Sequence, residues 1–238
     1  MLGGMLATYP MLAGTHTVPP GTQAPLPGTE AALIGLAALA VMLLPFLWPF
    51  VEQFSAMAHE GAHAIVGSVM GFTLAGVTLD MESNGITEWV NPPDTGLRRT
   101  LTRFAGYLGP SGFGLCAAKL IQTGRVVTVL WLAVFLLVLF LFAIRKSFGI
   151  VSVPAAIALL AVVMHYSRDG LEKVIIYAVT WLLLLSGVRV AVAHGADAGD
   201  AANLRRTTHI PRVLWALLWL AGTTLAVVIG GKWLVLRS

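Results

Sequence analysis

Two histidines and a carboxylate, His59, Glu60 and His63, sit inside the otherwise apolar run from Phe54 to Met70. On a helix, positions i and i+4 lie on one face, so the two imidazoles can converge on a single point. That point suits a zinc ion. Glu60 projects beside it and, not being needed as a ligand, is free to act as a general base toward water activated there. With six His and six Glu in 238 residues, the H-E-x-x-H pattern has a chance expectation of about 0.004. A packed polar cluster bonded to backbone carbonyls is the plainer alternative. Three ionisable groups within five positions of a membrane-type segment favour function, because such groups are costly there.

The elements that must hold these residues are helices in a membrane. The chain is 57% hydrophobic and 11% charged, with a mean hydropathy of +0.83, far from the composition of a soluble globular domain. The single cysteine, Cys116, excludes an intrachain disulfide and any multi-cysteine metal site. A net charge of +4 does not point to nucleic acid. The basic residues stand singly or in pairs at the ends of apolar runs and read as topology determinants beside anionic lipid.

Residues 1–30 hold five prolines and no Lys or Arg, which predicts a flexible tail without the basic start of a secretory signal. Residues 31–238 are expected to form one transmembrane domain. Ala31 to Gly71 is largely apolar but interrupted by Pro45 and Pro49, which should kink or break the helix. As one straight helix it would be about 60 Å long, roughly twice the hydrocarbon thickness. Five further apolar runs follow: Leu101 to Gln122, Val126 to Ile144, Phe148 to His165, Leu171 to Ala193 and Val213 to Leu236. The fold class expected is therefore an all-α polytopic membrane protein of about six transmembrane helices. Phe72 to Val90 alone has strand character. Val77, Leu79 and Met81 alternate with polar neighbours, and Asn84-Gly85 predicts a two-residue hairpin turn. A strand edge beside the metal would hold a substrate backbone extended by β-addition; a connecting loop on the bilayer surface is the other reading of this stretch.

These residues resemble the site-2 protease family of intramembrane zinc metallopeptidases, and within it the compact bacterial branch. His59-Glu60-x-x-His63 carries most of the resemblance. Further echoes are Gly71, Asn84-Gly85-Ile86-Thr87, Ala105-Gly106-Tyr107-Leu108-Gly109-Pro110, Ser186-Gly187-Val188-Arg189, and Asp197-Ala198 with Pro211 and Trp215. The resemblance implies a Zn2+ cofactor held by His59, His63 and one carboxylate, with Glu60 as the catalytic base. It implies membrane-protein or peptide substrates, a lipid bilayer around the chain, no nucleic-acid partner, and a bacterial plasma membrane as its place. The chain departs from better-known members at the third ligand. Their Leu-Asp-Gly appears here as Arg168-Asp169-Gly170, and Asn91-Pro92 falls after the hairpin. The ranked candidates are Asp197, in a connection long enough to fold back on the motif helix, and then Asp169, in a short link between two spans.

Three other readings compete. Gly109-Pro110-Ser111-Gly112 matches the G-x-S-G of rhomboid-type serine proteases, with Ser111 as nucleophile and His165 as base. A non-catalytic protein could keep zinc to brace its fold or to bind clients. A transporter lacks an obvious ion pathway, since the charges outside the motif lie mostly at span ends.

Because successive connections alternate sides, one side collects nine of the fifteen Lys and Arg residues, and the positive-inside rule places it in the cytoplasm. A reporter fused after Arg206 is therefore expected in the cytoplasm and one on the N-terminal tail outside. Both on one side would mean that Ala31 to Gly71 crosses twice.

Overall fold

The computed structural model describes residues 23–92, 95–166, 170–195 and 199–236. Helix α1, Gly28–Leu43, and helix α2, Trp48–Val69, divide the first apolar stretch. The division follows from the two prolines. Leu44, before Pro45, is extended, as the proline ring requires of its predecessor. Pro49 occupies the first turn of α2, where a missing N–H leaves no intrahelical bond unmade. The two axes meet at 103°. Arg189, from the later helix α6, Leu171–His194, fixes the corner: its guanidinium donates to the Met42 carbonyl and stacks 3.9 Å over the Trp48 ring.

At the far end of α2, Gly71 takes φ +85°. The Gly71 and Phe72 amides donate back to the Ser68 and Gly67 carbonyls, a Schellman closure that needs the left-handed conformation at this position. The chain then enters strand β1, Leu74–Leu79, and returns as β2, Gly85–Trp89, antiparallel to it. The turn differs from the expected two-residue form. Gly85 is already paired with Leu79, and residues 80–84 make a loop organised by Asp80. Its carboxylate accepts from the Glu82 amide at 2.9 Å, the Asn84 amide at 2.8 Å and the Asn84 side chain at 2.9 Å. The Asn84 side-chain bond, the largest influence, holds the Asp80 carboxyl below its ordinary range. A short third strand, β3, Ile144–Ser147, lies parallel to β1 on its other side, giving the order β2-β1-β3. Of its residues, only Ile144 belongs to a span expected from sequence; the other three fall in the connection to the next.

Helix α3, Leu97–Gln122, packs against α2, α6 and α8, Arg212–Val235, while α4, Val126–Ala143, and α5, Gly149–Tyr166, form a peripheral pair. A short polar helix, α7, Gly199–Thr208, precedes α8. The helices α4, α6 and α8 are long and apolar enough to cross a membrane, and the bent pair α1 and α2 makes a fourth if taken as one span. By length and composition the described residues thus supply three or four candidate spans, and the expected count of six is not confirmed. Helix α3 carries Arg98, Arg99, Arg103 and Lys119 within its length, and the apolar part of α5 is short.

Helices α2 and α3 are in close contact. A Cβ at Gly109 would lie 2.6 Å from the Ala58 carbonyl oxygen and 2.7 Å from the Ala62 Cβ, so only glycine lets the two backbones approach this far. Gly109→Val is expected to destabilise by about 1–3 kcal/mol, the usual cost of overpacking. A lowered melting temperature of the purified protein in detergent would show it, and an unchanged one would mean that the helices are not in this contact.

Candidate metal centre

Helix α2 presents His59, Glu60 and His63 on its inner side. Glu60 and His63 are buried, and His59 is partly so. The Nε2 atoms of the two histidines lie 3.1 Å apart. Each also lies close to one oxygen of Asp200, Oδ2, at 3.2 Å from His59 and 3.0 Å from His63. In a tetrahedral zinc site with 2.0–2.1 Å bonds, neighbouring ligand atoms are separated by about 3.3 Å. The observed triangle has that size. Its chemistry also asks for a cation, because two imidazole nitrogens and a carboxylate oxygen that converge like this are all natural acceptors, and one shared metal ion would satisfy the three together. Gly106 of α3 leaves the space: a Cβ there would collide with Nε2 of both histidines.

Surrounding contacts orient the donors. The Nδ1–H of His63 donates to the Thr102 carbonyl at 2.7 Å, which turns the Nε2 lone pair toward the triangle, as second-shell carbonyls do for metal-ligating histidines. The ring of His59 meets Tyr107 edge-on at 4.8 Å between centroids. Burial opposes ionisation of Asp200. The facing His63, with His59 also within reach of the carboxylate, outweighs it and holds the carboxyl well below the usual range. Asp200 stands in the first turn of α7, where the helix dipole also favours an anion. That helix is anchored by Ala201 and Leu204, which are fully buried against Tyr107, Trp215 and Trp219. Tyr107 and Trp219 stack at 4.3 Å, and the Trp219 indole N–H donates to the Phe104 carbonyl at 2.9 Å.

Glu60, beside the histidines, also reaches the sheet. Its donor oxygen lies within 4.8 Å of those of the two histidines, and its Oε2 accepts from the Thr87 hydroxyl of β2 at 2.5 Å. The centre opens into a cleft of about 950 Å³ lined by α2, β2, the start of α3 and α7. Among the residues of β2, Gly85, Ile86, Thr87 and Trp89 border it.

The chain matches the family described as Peptidase M50B-like over residues 32–230. It belongs to that family. The M50B-like peptidases are members of the site-2 protease family, which depends in general on zinc, and the membership identifies the chain as a membrane peptidase. No curated protein and no solved structure matches it.

Within this M50B-like chain the structure brings together His59, Glu60 and His63 as the motif predicts. Asp197 and Asp169 lie outside the described residues. The carboxylate placed at the two histidines is Asp200, which the sequence reading did not single out. A signal for it exists: Gly199 opens a short segment in which Ala201 and Leu204 fall on one face ahead of Arg205 and Arg206, the pattern of a short amphipathic helix with an acid in its first turn. The Ser111 hydroxyl donates to the Leu184 carbonyl at 2.9 Å. Neither Ser111 nor His165 lines the cleft, so the structure does not support the serine-protease reading. Asp200→Asn is expected to lower zinc affinity at least about tenfold, the loss that even second-shell partners of a metal cause. Competition against a chromogenic chelator measures it, with Asp169→Asn and Asp197→Asn as the comparison. A greater loss in either of those would move the third ligand there.

Proposed function

We propose that the chain is an intramembrane zinc metalloprotease that hydrolyses peptide bonds of membrane-embedded substrates. The observation that carries this reading is the donor triangle of His59, His63 and Asp200 with a buried, non-ligating Glu60 beside it, all facing a cleft bordered by a strand edge. His59, His63 and Asp200 would hold the zinc, which when bound supplies Lewis-acid activation of water and of the scissile carbonyl. Glu60 takes the proton of the attacking water and delivers it to the leaving amine. The substrate backbone lies along β2. Among the described residues that strand pairs with β1 on one side only, and its other edge offers main-chain donors and acceptors to an extended peptide. The M50B-like membership supports peptidase chemistry, and the apolar helices support a lipid setting.

The discriminating experiment is cleavage of a panel of single-span substrates by zinc-loaded protein. Glu60→Gln is expected to keep a full equivalent of zinc and to lose cleavage by about 10²-fold or more, the range of general-base contributions. His59→Ala and His63→Ala are expected to lose both zinc and cleavage. Undiminished proteolysis by Glu60→Gln would remove the assignment, and a histidine variant that retains metal would mark that residue as structural.

A further inference from the structure

We propose that Thr87 is the positioning residue of Glu60, and that β2 is the element that aims the base as well as the rail for the substrate; the assignment rests on the protease reading above. The Thr87 hydroxyl has one proton to give. Two Glu60 oxygens are within reach, Oε2 at 2.5 Å and the backbone carbonyl at 3.3 Å. The carboxylate oxygen is nearer, and charge-assisted O–H···O⁻ bonds of this length are the strong ones. Glu60 is buried to 4% exposure, so little solvent competes for that bond.

Gly85 supplies the second half of the arrangement. Alternate residues of a strand face the same side, so Gly85 and Thr87 both face α2. A Cβ at Gly85 would lie 2.5 Å from Glu60 Oε1 and 2.6 Å from its Cδ. One position withholds a side chain so that the carboxylate can lie against the strand, and the other donates the bond that keeps it there. The strand cannot retreat from this contact. Gly85 and Thr87 pair with Leu79 and Val77, both of which are completely buried. A long Glu side chain released from that bond would lose its direction toward the reacting water, and small misplacements of a catalytic group are costly.

The test uses the full-length chain. Thr87→Val keeps the shape and strand propensity of the residue and removes only the proton donor; Thr87→Ser restores the donor. Thr87→Val is expected to lower kcat roughly 10–100-fold, as loss of a supporting partner does, with KM within about twofold and a full equivalent of zinc retained, and Thr87→Ser is expected to recover most of kcat. Gly85→Ala, which keeps the hydroxyl but pushes on the carboxylate, should give the same split between kcat and KM. A second readout needs no turnover. In the cobalt(II)-loaded protein, Glu60→Gln defines the change in the visible bands when the base is altered, and Thr87→Val is expected to shift them in the same direction while Thr87→Ser does not. Wild-type bands and wild-type kcat in Thr87→Val would overturn the assignment. If the wild-type protein cleaves nothing but the bands respond to Thr87 as stated, the positioning role stands and the protease reading falls.

Discussion

Keeping ionisable side chains inside a bundle of apolar helices is the constraint on which this structure turns. A buried charge left without a partner costs several kcal/mol, comparable to the whole stability of an ordinary domain. The ionisable groups of the motif on α2 are therefore met by three other elements. The α3 backbone meets His63 through the Thr102 carbonyl. Asp200, from α7, meets both Nε2 atoms, and Thr87, from β2, meets Glu60. Three connections of quite different sequence are thereby drawn to one turn of one helix. The order of the elements around α2 follows from what that turn needs.

The glycines of α3 serve packing and chemistry through the same physical property. At Gly109 the missing Cβ lets α3 touch the α2 backbone, and one turn earlier, at Gly106, it leaves the space in which the histidine nitrogens converge. A bulkier residue at either place would separate the helices, but the consequences differ. At Gly109 the loss falls on packing. At Gly106 it falls on the donor set, since the colliding atoms are the Nε2 atoms themselves. The aromatic layer of Tyr107, Trp215 and Trp219 then sets the distance of α7, and with it the reach of Asp200.

What the sequence revealed divides along the same physical line. Local signals were legible: the i, i+4 spacing of His59 and His63, the break at Pro45 and Pro49, and the alternation of Val77 and Leu79 that became a buried strand face. Family membership was legible too, because His59-Glu60-x-x-His63 is compact and specific. The contributions that depend on distant parts of the chain were not. Asp200 is 137 positions from His63, and nothing in its neighbourhood distinguishes it from Asp197 except the short amphipathic helix it opens. Strand β3 is four residues at the end of an apolar run, too short to show a period of two. The turn at Asn84-Gly85 misled for a different reason: the Asp80 carboxylate offers the loop three hydrogen bonds, and those outweigh the two-residue preference that the dipeptide has on its own.

On the proposed protease reading, the placement of β2 would resolve a difficulty peculiar to cutting a peptide in lipid. A membrane-embedded substrate keeps its backbone bonded within its own helix, and each N–H or carbonyl released there costs several kcal/mol unless something replaces the bond. The free edge of β2 would replace some of them, since an extended segment laid along it would find main-chain partners at alternate residues. The cleft would replace others. Glu52, Glu82, Asn84, Arg99 and Arg103 line it, while large apolar side chains such as Leu36, Phe135, Phe142 and Leu225 are turned outward. Water needed for hydrolysis can therefore reach Glu60 without opening the lipid-facing surface. Because the edge that would take up the unwound backbone belongs to the same strand that holds Glu60, a substrate bound there would be brought to Glu60 by the geometry of one short hairpin.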